Sequence, residues 1–260
     1  MRRRPLFDPA LPFPLRLSRR SVELYLECPR CFYNEVRLGI KRPSIPAFTL
    51  NKTVDTLLKR EFDRYRKARK THPLFAQSAI DAIPYDGPEI DEWRSVQKGI
   101  RTFLSEQNIE VNGAPDEVLQ LPDGSLAVVD FKATAKKPDK SGMELAGMYA
   151  DSYIRQISFY TFLLKENDFA VAREGYLLIA NAKTVSRRGF SATLSFMQHI
   201  VSIRIDMDWI IPCIDGMYST ASISSSPAPS SNCEHCFYAE RWNYKNHADA
   251  DKDSSNASTF

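Results

Sequence analysis

"GAPDEVLQLPDGSLAVVDFKAT" (113–134) holds a Pro-Asp pair, a turn signal at Asp123-Gly124, and an apolar run that ends in Asp-Phe-Lys. The flanking runs, 109–121 and 125–133, read as two strands joined at that turn. Side chains alternate along a strand, so Asp130 and Lys132 share one face and Phe131 takes the other. Closing the connection at Asp123 brings Asp116 opposite Asp130 if the loop has an odd length or a bulge. An even loop sends Asp116 to the other face. In the odd register two carboxylates and a lysine meet at one end of a hairpin. Carboxylates side by side repel unless a positive charge stands between them. Mg2+, which takes oxygen ligands and keeps several waters, suits such a place, and Lys132 would orient one water as nucleophile. A solvated ion pair at a strand end is the alternative that the motif leaves open.

Outward from the hairpin, residues 51–70 read as a helix with Val54, Leu57, Leu58, Phe62 and Tyr65 as its apolar stripe. Its last two-thirds, "KREFDRYRKARK" (59–70), carries seven Lys/Arg against two acids. That is a solvated face or a nucleic-acid-guiding one, with Lys59, Arg60, Arg64, Arg66 and Lys67 as candidates. A second basic spot is "KTVSRR" (183–188). Residues 71–90 read as a loop and 91–108 as partly helical. Helix 148–168 and strand 175–181 follow, then two strands in "FSATLSF" and "IVSIRID", and a helix in "DWIIPCIDGMYS" interrupted by Pro212. "SSSPAPSSN" reads as a linker. The expected organisation is a Pro-rich extension (1–17), one domain (18–236) and a polar tail (237–260).

The 260 residues are 43% apolar and 26% charged, as in an ordinary globular protein, and the net charge of +3 does not by itself demand a nucleic-acid partner. No apolar run reaches the length of a membrane span, and the Pro-broken N-terminus lacks the apolar core of a signal peptide. The expected location is the cytoplasm. Five cysteines include two Cys-x-x-Cys pairs, Cys28/Cys31 and Cys233/Cys236. In that compartment such pairs point to metal before disulfides, as a four-cysteine zinc site or an iron–sulfur cluster. Cys213 lies in an apolar stretch and reads as core.

"PD", thirteen residues and "DFK" resemble the PD-(D/E)XK nuclease superfamily, and "VNGAPDEVLQLPDGSLAVVDFKAT" resembles its RecB-like branch. That branch adds a glycine before the first Asp, a Gln-x-x-x-Tyr helix after the lysine, here Gln156 and Tyr160, and an early helix running into Cys-Pro, here "SVELYLECPRCFY". The resemblance implies an α/β restriction-endonuclease-like core, a mixed central sheet flanked by helices, with the terminal segments joined by a four-cysteine metal clasp. It implies hydrolysis of DNA phosphodiester bonds with Mg2+ or Mn2+, by an exonuclease of repair, recombination or CRISPR adaptation. The substrate would carry a single-stranded region, and repair, helicase or CRISPR proteins would be partners.

Carried onto this chain, Asp116, Asp130 and the Phe131 carbonyl would hold the divalent ion. Lys132 would place the water, and Gln156 and Tyr160 would support the site. The family's upstream His is missing, and Asp55 stands where it is expected, with Glu61 as a weaker substitute; His72 reads as a loop residue. Cluster-bearing relatives favour [4Fe-4S] over Zn2+ at the cysteines, although their usual split is one early and three late cysteines. The alternative is a non-cleaving binding or structural subunit that keeps the fold.

Overall fold

The computed structural model describes residues 6–44, 48–135, 150–183 and 192–242. They form two compact units. The larger comprises Arg16–Arg19 and Pro46–Ile211, and the smaller is made from the chain on either side.

In the larger unit the quoted hairpin is β5 (Glu117–Gln120) and β6 (Leu126–Thr134). Glu117 pairs with Val129 and Gln120 with Leu126, leaving five residues in the loop. This is the odd length that keeps the two aspartates on one face. Asp123 caps the turn by accepting from Ser125 N at 2.9 Å and Ser125 Oγ at 2.7 Å, and Gly124 supplies the positive φ of 86°. A five-stranded sheet runs in the order β2 (Ile83–Pro84), β5, β6, β7 (Glu174–Ala182), β8 (Phe196–Arg204). It is mixed: β6 and β7 are parallel and the other neighbours antiparallel. A second sheet has the order β1 (Leu15–Ser18), β4 (Ile109–Gly113), β3 (Ile100–Leu104).

Helix α3 (Thr49–Ala68) lies on the Phe131 face of β6. Its Val54, Leu58 and Phe62 share a core with Leu119, Ala127, Val129, Phe131 and Leu178. This four-residue spacing is that of one helical stripe. Leu57 falls outside the stripe and is exposed. Helix α6 (Ala150–Lys165) packs on the opposite face. Two glycines let it approach: a Cβ on Gly113 would lie 2.6 Å from the Tyr160 ring, and one on Gly175 would lie 2.4 Å from Ile157.

The smaller unit contains α2 (Pro29–Arg37), most of α1 (Arg19–Glu27) and most of α7 (Ile210–Ser222), with a further helix at 234–242. Pro29 opens α2 at its first position, where no N–H is needed. Pro212 likewise sits in the first turn of α7, so it does not interrupt that helix as the sequence reading expects.

Other expectations change as well. Residues 91–108 are one helical turn (α5, Ile90–Trp93) followed by strand β3 and the β3–β4 turn. The expected strand 109–121 is two strands in different sheets, because Pro115 cannot donate to a ladder. The loop 71–90 carries α4 (Pro73–Gln77) and β2. The expected strand in "IVSIRID" is part of β8; of "FSATLSF", residues 190 and 191 lie outside the described residues and Phe196 opens β8. The start of the polar tail is helical to residue 242, and its remainder, like the "KTVSRR" spot beyond Lys183, lies outside the described residues. Among the described residues no helix is long and apolar enough to cross a membrane.

Candidate active site and cysteine centre

Asp116 precedes β5, and the register of the hairpin continues to place it opposite Asp130. Its Oδ2 accepts from Phe131 N at 2.8 Å. One step further the register sets Pro115 opposite Phe131, and Pro115 has no N–H to give the Phe131 carbonyl. The Pro-Asp pair thus has a physical sense. Proline withholds a ladder bond from the carbonyl, and aspartate takes over the amide.

On the α6 face Asp130 is 2% exposed. Its Oδ1 accepts from Gln156 Nε2 at 2.8 Å, and its Oδ2 makes an ion pair with Lys132 Nζ. That Oδ2 is buried, and the Lys132 ammonium is its partner. Lys132 Nζ donates to Gln156 Oε1 at 3.0 Å and lies 4.6 Å from the Tyr153 ring centroid. Gln156 Nε2 also donates to the Tyr160 hydroxyl at 3.2 Å. The hydroxyl of Tyr160 holds its proton far more firmly than usual, through burial and the Asp130 charge. One hydrogen-bonded chain therefore joins Asp130, Lys132, Gln156 and Tyr160 one turn apart on α6.

Asp55 reaches this region through Lys59. Lys59 Nζ is 3.2 Å from Asp55 Oδ1 and 3.3 Å from Asp116 Oδ1, an ammonium standing between two carboxylates. Burial and the Asp130 charge push the Asp116 carboxyl up to about 6. Burial and Asp116 raise Asp55. Burial works against the charge on Lys59, yet Asp116 and Asp55 raise its pKa on balance. Both carboxyls are shifted in the same sense, first by burial and then by a neighbouring carboxylate. The donor set of carboxylates and a backbone carbonyl fits a hard divalent cation such as Mg2+. The buried Asp130 Oδ2, met by the Lys132 ammonium, and the carboxylate chemistry of the donor set are the observations that test that fit.

The basic helix needs correction. Lys59 is held by the two carboxylates and does not stand on the open face. Arg66 turns inward: its side chain is 7% exposed, it donates to Tyr85 O at 2.7 Å, and it pairs with Glu117 and Asp63. Glu117 is wholly buried and also binds Arg94 Nη1 at 3.1 Å. Two arginines around one buried carboxylate are a structural network, since Glu117 alone would be an uncompensated charge. Arg60, Arg64 and Lys67 are exposed. His72 is buried, stacks on Phe62 at 4.5 Å and caps α4 through Nδ1; its Nε2 is 3.3 Å from Glu61, and burial lowers its pKa. Sequence reading also misses Tyr153 and Arg19. Arg19 Nη2 donates to Ser152 Oγ at 3.0 Å, and its charge is felt at Tyr160.

In the smaller unit Cys28, Cys31, Cys233 and Cys236 are buried, and their sulfurs all lie within 4.8 Å of one another. Each pair begins a helix. Cys28 precedes α2 and Cys233 precedes 234–242, and Phe32 N donates to Cys28 O at 3.1 Å as Phe237 N does to Cys233 O at 3.0 Å. The parallel has a sequence sign that is easily passed over: Cys-x-x-Cys-Phe-Tyr occurs twice, at 28–33 and 233–238. Cys213 is not part of the group.

The model of the PD-(D/E)XK nuclease superfamily matches residues 16–241. The chain belongs to that superfamily, whose members are usually metal-dependent nucleases acting on nucleic acid. The solved structure of SSO0001 aligns with 86% of this chain and 84% of its own at 12% identity, with a TM-score of 0.35. No curated protein matches significantly.

Proposed function

We propose that this chain hydrolyses DNA phosphodiester bonds in a reaction that needs Mg2+ or Mn2+. The observation that carries the reading is the linked set at the hairpin end: Asp116 on the Phe131 amide, and Asp130, Lys132 and Gln156 bonded to one another. Asp116, Asp130 and the Phe131 carbonyl would hold the ion, with Asp55 at its edge once Lys59 moves aside. The ion would supply Lewis-acid polarisation of the phosphate and a more acidic water. Lys132 would orient the attacking water and meet charge developing on the phosphate. Gln156 would fix the Lys132 ammonium and the Asp130 carboxylate in one plane of donors and acceptors, with Tyr160 behind it. Arg60, Arg64 and Lys67 would follow the strand backbone, which carries no base information.

The RecB-like resemblance supports action from strand ends in repair, recombination or CRISPR adaptation. End-labelled single- and double-stranded DNA, with a closed circle beside them, tests the whole reading. The expected result is loss of label from linear DNA with Mg2+ or Mn2+, none with a chelator, and an intact circle. Cleavage that persists in chelator, or no cleavage of any DNA with either ion, overturns the proposal. A cut circle overturns its exonuclease part.

A further inference from the structure

The cysteine sulfurs are spaced for one metal ion and not for the four-iron cluster that the family resemblance implies. Cys31 Sγ lies 3.6 Å from Cys233 Sγ and 3.6 Å from Cys236 Sγ, and Cys28 Sγ lies 3.8 Å from Cys236 Sγ. A tetrahedron built on zinc–sulfur bonds of about 2.3 Å has edges of about 3.8 Å. A cubane bonds each thiolate to a different iron and spreads the sulfurs to about 6 Å. Here no pair exceeds 4.8 Å, so the centre lacks room for four irons and four sulfides. A pair of disulfides does not describe it either, because bonded sulfurs stand about 2.05 Å apart and all four cysteines are free.

The surroundings suit a compact dianionic centre. Both pairs lie at helix starts, which turn backbone N–H groups and the positive end of the helix dipole toward the thiolates. Arg42 adds a guanidinium, with Nη2 at 3.6 Å from Cys233 Sγ, and is itself steadied by Glu27. We propose that Cys28, Cys31, Cys233 and Cys236 bind a single tetrahedral zinc ion. Four thiolates leave no open position, so this ion is structural and takes no part in hydrolysis. The assignment is independent of the nuclease reading.

The test is the metal and sulfide content of the full chain, purified anaerobically. The expected result is about one zinc per chain, no acid-labile sulfide and a colourless protein. Replacement of that zinc by Co2+ should give the thiolate-to-cobalt charge-transfer band and visible bands of a tetrahedral site. Asp116→Asn with Asp130→Asn should keep the zinc, which separates this centre from the carboxylates, whereas Cys236→Ser should lower its retention in chelator at least about tenfold. A brown protein with about four irons and four sulfides overturns the proposal. So does a single iron, or a stably folded chain with four titratable thiols and no metal.

Discussion

The two centres of this chain gather like charges in opposite ways. The four cysteine sulfurs meet at coordination distance, each pair carried at the start of a helix. The carboxylates cannot do this, since ionised oxygens repel. Two of them are held on either side of the Lys59 ammonium instead. Among the described residues no carboxylate group converges as the cysteines do. A preassembled centre would lend the binding energy of its metal to folding, whereas a centre held open by an internal cation would have to exchange that cation for another.

The largest effect should come from breaking the sulfur centre. Cys31 and Cys233 are 202 residues apart, and closing a loop of that length is worth about 5 kcal/mol on the chain-entropy model. Cys233→Ala with Cys236→Ala should lower the melting temperature by ten degrees or more. Calorimetry of both proteins checks it; equal melting would mean that the sulfurs do not tie the fold. Next in size is the carboxylate centre. Asp130→Ala and Lys132→Ala should each slow cleavage by about a thousandfold, several kcal/mol of transition-state stabilisation, with the cysteine metal retained. Wild-type rates in either variant would remove these residues from the chemistry.

Lys59→Met sharpens the contrast further. Without the ammonium, Asp55 and Asp116 face each other unscreened, so the variant should melt lower in chelator and gain more from added Mg2+ than the wild type does. An identical Mg2+ response in the two proteins would show that Lys59 does not stand in for the ion. The smallest effect is the pH dependence of Asp116. Its carboxyl is raised from 3.8 to about 6, so the folded state binds the proton more tightly than the unfolded state. Its contribution to stability is present below about 4 and is lost as pH rises through 6. In chelator, Asp116→Asn should therefore melt a few degrees higher than the wild type at pH 7, with the gain vanishing near pH 4. A lower melting point at pH 7 would mean that the bond to the Phe131 amide outweighs the repulsion.

Much of the larger centre can be read from the chain. A turn flanked by alternating residues fixes which side chains share a face, and the odd loop decides whether Asp116 joins Asp130. Gln156 and Tyr160 come from the family resemblance, and helical spacing sets them one turn apart. Other features are set by partners distant in sequence. Nothing in "KREFDRYRKARK" marks Arg66 as the one arginine that turns inward, because its reason is Glu117, 51 residues away. "IRTFL" reads as helix as readily as strand until its partner β4 is known. Pro115 does announce a break in the ladder, and the doubled Cys-x-x-Cys-Phe-Tyr announces two like arms; both signals lie in plain sequence. What that repeat does not reveal is burial. Phe32 and Tyr33 are 0% and 4% exposed, while Phe237 and Tyr238 are 59% and 70% exposed. The cysteine geometry is local, but packing belongs to the whole unit.

The separation of the two cysteine arms also orders events during synthesis. At about 5–20 residues per second, the ribosome delivers Cys233 and Cys236 some 10–40 seconds after Cys28 and Cys31. Through that interval the first pair has only two thiols to offer, and the smaller unit lacks α7. The larger unit has its whole chain available once residue 211 has emerged. The larger unit can therefore fold before the second pair arrives, and under the zinc proposal metal capture would come last.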